Sequence, residues 1–422
     1  MTYNPLINLR ASYDAGKAQG IVSVCSAHPI VIEAALTRAA RLRTAALIEA
    51  TCNQVNQEGG YTGMTPADFR RYVLDIADRV GLSHERVILG GDHLGPNPWK
   101  NLPPQEAMQK ACDMIAAYAG AGFVKLHLDA SMGCAGEAAH LPDHIVAERA
   151  VMMAARAEAH AKTPPVYIIG TEIPTPGGAT EALDHLAPTT PESVQATYRV
   201  HKASFHAQIP QAWARVIGIV VQPGVEFGHD EIVFYDRGKA TRLIRALGNM
   251  QGLIYEAHST DYQPETALSQ LVTDGFCILK VGPALTFALR EALYGLDDIA
   301  QVLDPARARL RDSMENIMLE KPVYWRDHYG DDPAAQRILR HFSYSDRIRY
   351  YWPMPAAEKA VDDLLKSFNG QALPETLVSQ YLPRFYGRII DGSLQNDVQA
   401  ILLQSIQDVL ELYGRAARDS IN

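Results

Sequence analysis

The sequence lacks the short motifs that identify several large classes of enzyme. It contains no Gly-x-x-x-x-Gly-Lys-Ser/Thr loop, and no Gly-x-Gly-x-x-Gly follows a strand-like run. Nucleotide-kinase chemistry and dinucleotide binding therefore have no support in the sequence. No Gly-x-Ser-x-Gly turn is present either, so nothing indicates a serine nucleophile held on a strand-to-helix turn.

Basic charge, paired cysteines and long apolar runs are also scarce. Lys and Arg number 39 against 48 Asp and Glu, and the formal net charge is -9. The two signs are interspersed, so we expect no nucleic-acid partner and no membrane-binding segment. No apolar run is long enough to span a bilayer and the start does not resemble a signal peptide, which predicts a cytoplasmic protein. The five cysteines are scattered without a Cys-x-x-Cys pair, which favours reduced thiols.

The chain does contain eight short β-rich runs, separated by longer segments with helical periodicity. This alternation is typical of parallel strands joined by crossover helices, and eight units close a (β/α)8 barrel. The runs are 20–28, 45–51, 87–93, 123–130, 166–172, 216–222, 253–258 and 276–281. We therefore predict an α/β protein with a (β/α)8 TIM barrel in residues 1–290. Residues 291–422 have helical patterns and are predicted to form a mainly helical extension packed on the barrel.

Polar side chains stand at the predicted ends of six consecutive strands. The third run, for example, ends in two glycines followed by Asp92 and His93. Because the carboxyl ends of barrel strands meet at one mouth, we expect these side chains to converge into a site. The long segments 52–64 and 174–188 also follow strand ends, where active-site loops belong. The polar residues are Asp92, His93, Lys125, His127, Asp129, Glu172, Gln222, Glu256, His258, Asp261 and Lys280.

The residue types indicate metal-assisted chemistry. A set suited to a divalent ion such as Zn²⁺, Mn²⁺, Co²⁺ or Ni²⁺ consists of His93, Glu172, Gln222 and His258. Carboxylates for proton transfer beside such an ion are Asp92, Glu256 and Asp129. Lys125 or Lys280 could neutralise an oxyanion.

Structural interpretations of single residues remain open at this point. His28 or His127 alone is more often a hydrogen-bonded structural residue than a ligand, and Lys125 with Asp129 could be a buried ion pair. The cluster Arg347, Arg349, Tyr350 and Tyr351 is interpreted as a packed, solvated aromatic face, with capping of the site as the alternative. Structural networks do not usually gather at the ends of six strands, so the full set favours function.

Long motifs resemble a known family along almost the whole chain. They include residues 24–29, 53–57, 59–64, 90–97, 127–131, 171–178, 221–227, 255–263, 280–292, 345–353 and 379–383. These stretches resemble the tagatose-1,6-bisphosphate aldolase non-catalytic subunit family, sometimes labelled tagatose 6-phosphate kinase, which also contains ketohexose 4-epimerases. The kinase label conflicts with the missing phosphate-binding loop.

The family is in turn similar to metal-dependent class II aldolases, and this similarity implies residue roles. Asp92 corresponds to their acid/base, and His93 and His258 correspond to two of their metal histidines. The remaining metal histidine has no counterpart, because Gln222 stands at the end of the sixth strand. The glycine-rich turn that binds a phosphate there is replaced by 259–261, whose aspartate would repel a phosphate, so a neutral sugar is favoured.

Other polar residues in these motifs and strand ends are predicted to bind the substrate. They are Ser26, Asn53, His127, Lys125, Asp261 and Lys280.

Two functions of different classes follow from the resemblance. The first is a metal-dependent ketohexose 4-epimerase that interconverts D-tagatose and D-fructose or their phosphates. The C4 hydrogen is not α to the C2 carbonyl, so retro-aldol cleavage of C3–C4 and aldol closure on the other face would be needed. The alternative is a non-catalytic subunit required for the activity and stability of a class II tagatose-1,6-bisphosphate aldolase. A self-sufficient aldolase is a weaker third hypothesis, and the expected assembly is a homo-oligomer or a complex with a catalytic aldolase subunit.

Overall fold

The computed structural model describes residues 4–171 and 186–418, and its central feature is a closed barrel of eight parallel strands. The strands in chain order are β1 (Ile21–Cys25), β2 (Ala46–Thr51), β3 (Val87–Leu94), β4 (Lys125–Leu128), β5 (Val166–Ile169), β6 (Val216–Val220), β7 (Glu226–Phe227), β8 (Ile232–Val233), β9 (Ile254–Ala257) and β10 (Phe276–Val281). The barrel order is β1-β10-β9-β6-β5-β4-β3-β2, and β7 pairs with β8 in a separate antiparallel hairpin. The predicted (β/α)8 TIM barrel with C-terminal helices is confirmed.

Helices connect the strands and form the C-terminal part of the chain. They are α1 (Leu9–Asp14), α2 (Pro29–Leu42), α3 (Pro66–Val80), α4 (Pro104–Ala121), α5 (Asp143–His160), α6 (Pro191–Gln208), α7 (Pro210–Trp213), α8 (Arg237–Ala246), α9 (Glu265–Thr273), α10 (Pro283–Leu303), α11 (Leu310–Glu320), α12 (Pro333–Phe342), α13 (Pro355–Ser367), α14 (Glu375–Tyr381), α15 (Pro383–Ile390) and α16 (Val398–Ala417). Helix α3 illustrates how the local sequence sets the two ends of a helix. Thr65 and Asp68 form a reciprocal capping box at its start, and Gly81 with φ of 72° ends it.

Two apolar cores hold the barrel together. The inner core consists of strand residues that point into the barrel, and Leu6 and Leu9 from the start of the chain pack against it. Arg10 fastens this N-terminal segment, since its Nη1 donates hydrogen bonds to the carbonyl oxygens of Met250 and Leu253 at 2.9 and 2.7 Å. The larger core lies between strands and helices and continues into the C-terminal helices. The polar end of the barrel lies at the carboxyl ends of the strands.

The C-terminal helices pack closely on the barrel. Helix α16 contacts α2, α9, α10 and β1. The backbone N–H of Gly20, just before β1, donates to the carbonyl oxygen of Ala417 in α16 at 2.9 Å. The helix α10 runs through residue 290, where the sequence placed the boundary between barrel and extension. The division into two domains therefore stays a prediction.

Membrane insertion and disulfide bonds find no support in this architecture. No helix within residues 4–171 or 186–418 combines the length and apolar character needed to cross a bilayer. All five cysteines lie in these ranges and are free thiols.

Candidate active site at the mouth of the barrel

A cavity of about 200 Å³ opens at the carboxyl ends of the barrel strands, and we call it the mouth cavity. Residues from β1, β3 and β10 line it together with loops that follow β2, β4 and β9. Among the lining residues are Cys25, Asn53, Asp92, His93, Asp129, His258, Asp261 and Lys280. The predicted convergence of strand ends therefore brings most of the expected polar residues to one place.

The backbone of β3 is shaped to present Asp92 and His93. A side chain on Gly90 would meet Glu49 Oε1 at 2.6 Å, so the glycine leaves room for the buried carboxylate of β2. His93 has φ of 47°, a left-handed conformation that costs about 1–3 kcal/mol for residues other than glycine. Its backbone N–H lies 3.2 Å from Nδ1 of His127 on the neighbouring strand. The strand end is thus held in one conformation by its neighbours.

Two imidazoles in the mouth cavity are oriented by carboxylates. His93 Nδ1 lies 2.8 Å from Asp129 Oδ2, and His258 Nε2 lies 2.9 Å from Glu256 Oε1. Because an ionised carboxylate only accepts, each of these ring nitrogens carries the hydrogen, and in the neutral ring the lone pair is on the other nitrogen. Burial disfavours the charged form of His93, but Asp92 and Asp129 outweigh it and raise the pKa of this ring. The two ring centroids are 4.8 Å apart and the rings are nearly perpendicular. This arrangement resembles the outer carboxylates that orient histidine ligands in metal sites.

The donor set around these histidines fits a divalent ion. Ligand atoms of Asp92, His93, His127 and His258 all lie within 4.8 Å of one another. Neutral imidazole and carboxylate are common ligands of Zn²⁺ and similar ions. Burial lowers the pKa of His258 to about 3, so this ring is neutral at pH 7, as a ligand must be.

Of the two other predicted metal ligands, Gln222 is placed less favourably for binding an ion and Glu172 is not described. The side-chain oxygen of Gln222 accepts hydrogen bonds from the backbone N–H groups of Gly224 and Val225 at 2.8 and 2.9 Å. It therefore stabilises its own loop, and the geometry gives no support for a ligand role. Glu172 lies outside the described residues, as does most of the predicted loop 174–188.

A buried ion network forms the floor of the site. Lys125 Nζ lies 2.6 Å from Glu49 Oε1 and 2.8 Å from Glu256 Oε2. Lys280 Nζ lies 2.5 Å from Glu49 Oε2 and 2.7 Å from Asp92 Oδ1. Burial disfavours the charged form of Asp92, but His93 and Lys280 outweigh it and hold the pKa of its carboxyl well below the ordinary value. Asp92 is therefore ionised at neutral pH.

Some predicted substrate-binding residues are hidden from the cavity. Lys125 and His127 are fully buried, and neither lines the mouth cavity within the described part of the chain. Lys125 pairs with two carboxylates, and His127 Nε2 donates to the carbonyl oxygen of Gly170 at 2.9 Å. Both therefore have structural partners, and direct contact with a substrate does not fit this geometry. Ser26 lines a neighbouring cavity of about 570 Å³, which we call the side cavity.

Two further residues belong to the site, one that the sequence did not single out and one for which capping of the site was only the alternative. Glu49 bridges Lys125 and Lys280, yet in the sequence it is one carboxylate inside an apolar run. Arg349, which the sequence assigned to an aromatic surface, lines both the mouth cavity and the side cavity. Its neighbour Tyr350 packs against Tyr61 in the loop after β2, with ring centroids 5.2 Å apart. The C-terminal extension therefore forms part of the wall of the site, which was only the alternative interpretation.

Comparison with known proteins shows to which family the chain belongs. Residues 6–418 match the family described as D-tagatose-1,6-bisphosphate aldolase subunit GatZ/KbaZ-like. A crystal structure named as a probable tagatose 6 phosphate kinase from Sinorhizobium meliloti 1021 shares 54% sequence identity with this chain. The match covers 94% of this chain and 100% of that chain, with a TM-score of 0.89.

More distant matches are also found among solved structures. A fructose-bisphosphate aldolase from Campylobacter jejuni is 14% identical, with a TM-score of 0.45 and coverage of 86% of this chain and 94% of that chain. The fructuronate-tagaturonate epimerase UxaE from Cohnella laeviribosi is 13% identical, with a TM-score of 0.48 and coverage of 94% and 82%. We infer neither the fold nor the activity of this chain from similarities at this level. The match over residues 6–418 does show that the chain belongs to the GatZ/KbaZ-like family of D-tagatose-1,6-bisphosphate aldolase subunits.

Proposed function

We propose that this protein is a divalent-metal-dependent ketohexose 4-epimerase, which interconverts D-tagatose and D-fructose or their phosphates. The observation that carries the proposal is the pair His93 and His258, each oriented by a carboxylate, beside the ionised Asp92 in the mouth cavity. His93 and His258 would hold the ion, which would supply Lewis-acid polarisation of the ketone.

Asp92 is the proposed acid/base for the proton on O4. Inversion at C4 requires this proton to leave as C3–C4 breaks and to return after the aldehyde has turned over. Asp92 lines the cavity and is kept ionised, so it can accept the proton. Asp129 and Glu256 were candidates for the same role, but their contacts with His93 and His258 support a positioning role.

Lys280 is the proposed stabiliser of negative charge on the reacting fragment. Its ammonium lies at the cavity wall 2.7 Å from Asp92. Burial disfavours the ammonium, but Asp92 and neighbouring anionic groups raise the pKa of Lys280 well above its ordinary value, so the charge is permanent. A fixed positive charge in a water-poor site stabilises a developing oxyanion.

Retention of the aldehyde fragment is a further requirement of this mechanism. Tyr61 and Tyr350 contact each other beside the mouth cavity and both line it. We propose that they slow escape of the fragment between cleavage and closure.

The test is an assay of the purified full chain alone. The protein is chelated, supplied with single divalent ions, and incubated with D-tagatose, D-fructose and their 6-phosphates, followed by chromatography. We expect interconversion that disappears with chelator and returns with metal. His93→Ala should lose both bound metal and turnover. The control His84→Ala, which replaces an exposed histidine paired with Asp78, should keep both. Full activity in His93→Ala would contradict the assignment.

The second candidate is a non-catalytic subunit of a class II tagatose-1,6-bisphosphate aldolase. The family description supports it more directly than the first, because it names an aldolase subunit. In this case the chain alone turns over none of the four sugars with any ion. Mixing it with a catalytic aldolase chain should then raise aldolase activity and yield a complex that survives gel filtration.

A further inference from the structure

We propose that Asp261 is a second acid/base of the reaction, which serves one C4 epimer while Asp92 serves the other. The inference rests on the proposed function, because it deepens the mechanism of the same site. It follows from two carboxylates that line the mouth cavity from different strands and from the path that O4 takes during inversion. It gives proton transfer to a residue that the sequence placed among the substrate-binding residues.

Inversion at C4 moves O4 from one side of the reacting bond to the other. In the first step the C4 hydroxyl loses its proton and the C3–C4 bond breaks, so that C4 becomes an aldehyde and C1–C3 an enediolate. The aldehyde then turns over, C3 attacks its other face, and O4 takes a proton. Because C3 stays in place, O4 points to opposite sides before cleavage and after closure. A carboxylate within hydrogen-bond reach of O4 in one epimer is therefore out of reach in the other, which calls for a second proton carrier.

Asp92 and Asp261 approach the mouth cavity from opposite sides of the barrel. Asp92 belongs to β3 and Asp261 follows β9, and three strands lie between β3 and β9 in either direction around the barrel. The neighbouring rings of His93 and His258 have centroids 4.8 Å apart, so these two strand ends face each other across the cavity. Both carboxylates line it. A sugar held at the two histidines would therefore have one carboxylate on each side.

The contacts of Asp261 leave one of its oxygens for a substrate. Its Oδ1 accepts hydrogen bonds from the backbone N–H groups of Gly282 and Ala284 at 3.0 and 2.8 Å. Its Oδ2 has no hydrogen bond to another residue that the structure describes. A proton on this carboxyl belongs on Oδ2, because Oδ1 already accepts two hydrogens. The neutral acid can thus donate to O4 without losing its contacts at the start of α10.

Asp261 differs from Asp92 in its charge partners. Within residues 4–171 and 186–418 Asp261 forms no ion pair, whereas Asp92 lies 2.7 Å from Lys280. Burial raises the pKa of Asp261 to about 6, although its backbone N–H donors and Arg349 act in the opposite direction. Burial also raises the pKa of the neighbouring Glu226 to about 7, and the charge of Asp261 acts in the same direction. This wall of the site can therefore hold or release a proton near neutral pH, as an acid/base must.

One proton crosses the site in each turnover. For the epimer whose O4 faces Asp92, this carboxylate takes the O4 proton as C3–C4 breaks, and the electron pair of that bond passes into the enediolate. When C3 attacks the turned aldehyde, the neutral Asp261 gives its proton to O4. Asp92 is then protonated and Asp261 ionised, and proton exchange with water restores the starting state. The other epimer uses the same two groups in the reverse order.

The test measures the cleavage step separately for each epimer. The full chain, supplied with divalent ion, is given D-tagatose, D-fructose or their 6-phosphates together with hexacyanoferrate(III), which oxidises the enediolate and so reports cleavage without closure. We expect wild-type protein to cleave both epimers, Asp92→Asn to cleave only one, and Asp261→Asn to cleave only the other. Each variant should lose the cleavage that its carboxylate serves by about 10²- to 10⁴-fold.

Asp397→Asn is the matched control. The Oδ1 of Asp397 also accepts two backbone N–H groups at a helix start, those of Gln399 and Ala400 at 2.9 and 3.0 Å. This residue borders neither cavity within the described lining, so the variant should cleave both epimers.

The structural effect of Asp261→Asn should be small. The amide oxygen can still accept from Gly282 and Ala284, so we expect unchanged circular dichroism and divalent-ion affinity. If this variant does not fold, Asp261→Ser replaces it, since serine also caps helix starts.

The outcomes separate this inference from the proposed function. If wild-type protein epimerises and Asp261→Asn cleaves both epimers at the wild-type rate, the inference is overturned and the proposed function stands. Loss of the same epimer in both aspartate variants, or of both epimers in Asp261→Asn, overturns it as well, because only opposite preferences indicate two separate acid/bases. Wild-type protein that cleaves neither epimer with any ion removes the proposed function and this inference together.

Discussion

Lys280 on β10 and Asp92 on β3 form an ion pair of 2.7 Å, although β1 and β2 separate their strands in the barrel. The same ammonium lies 2.5 Å from Glu49 on β2. One cation therefore pairs with two buried carboxylates from different strands. Replacing it leaves negative charges without compensation in a region with little water, which is costly.

Lys280→Met should destabilise the fold through these uncompensated charges. We expect the free energy of unfolding to fall by about 3–5 kcal/mol. The double variant Lys280→Met/Glu49→Gln removes one of the two carboxylate charges and should recover part of that loss. Urea unfolding followed by circular dichroism measures both. If the double variant is no more stable than Lys280→Met, charge balance is not what Lys280 contributes.

Asp129→Asn tests the orienting role of the carboxylate next to His93. The amide cannot accept the ring N–H as strongly, so the imidazole loses its fixed tautomer and orientation. We expect divalent-ion affinity to fall about 10- to 100-fold, measured by competition with a chromophoric chelator. Asp113→Asn, which changes a half-exposed aspartate paired with Arg156, serves as the control. Unchanged metal affinity in Asp129→Asn would remove His93 from the proposed ligand set.

Asp92→Asn separates chemistry from binding. If Asp92 transfers the O4 proton, kcat for epimerisation should fall about 10²- to 10⁴-fold. The affinity for D-fructose 6-phosphate, measured by calorimetry, should change much less, because asparagine has nearly the same size as aspartate. A loss confined to KM would place Asp92 in substrate binding instead.

Sequence reasoning recovered the barrel because strands and helices repeat along the chain. All eight β-rich runs are barrel strands, because each run is apolar enough for folding to bury it. The strand ends likewise predicted Asp92, His93 and His258 in one cavity. This part of the site depends only on the rule that parallel strands end at one mouth.

The rest of the site depends on contacts between residues that are far apart in the sequence. Glu49 pairs with Lys280, 231 positions away, and nothing near Glu49 in the sequence indicates that partner. The position of Arg349 follows from the path of the C-terminal helices and from the packing of Tyr350 on Tyr61. Periodicity shows that a helix has an apolar face but not which surface covers it.

His28 provides a prediction about pH. It is the N-cap residue of α2, and its Nδ1 accepts the backbone N–H of Ile30 at 3.3 Å. Burial lowers the pKa of His28 from 6.5 to about 4, so the unfolded chain binds a proton more readily than the folded chain between these values. The stabilising contribution is therefore present above pH 6.5 and is lost as the pH falls toward 4.

His28→Asn keeps a capping acceptor that does not titrate in this range. We expect its free energy of unfolding, relative to wild type, to improve by about 1 kcal/mol between pH 7 and pH 5. Denaturant unfolding at the two pH values measures the difference. A constant difference between the two proteins would show that His28 protonation does not control the start of α2.

The packing of α16 predicts that the barrel does not fold without the end of the chain. This helix packs against α2, α9, α10 and β1, and its buried residues include Ile401, Leu402, Ile406, Leu410 and Tyr413. A chain ending at residue 303 would expose the matching apolar surface on the barrel, which favours aggregation. We expect the 1–303 fragment to be insoluble or to bind a hydrophobic dye, and co-expression with 304–422 to restore a soluble complex. A soluble, cooperatively unfolding 1–303 fragment would show instead that the barrel and the extension are separate folding units.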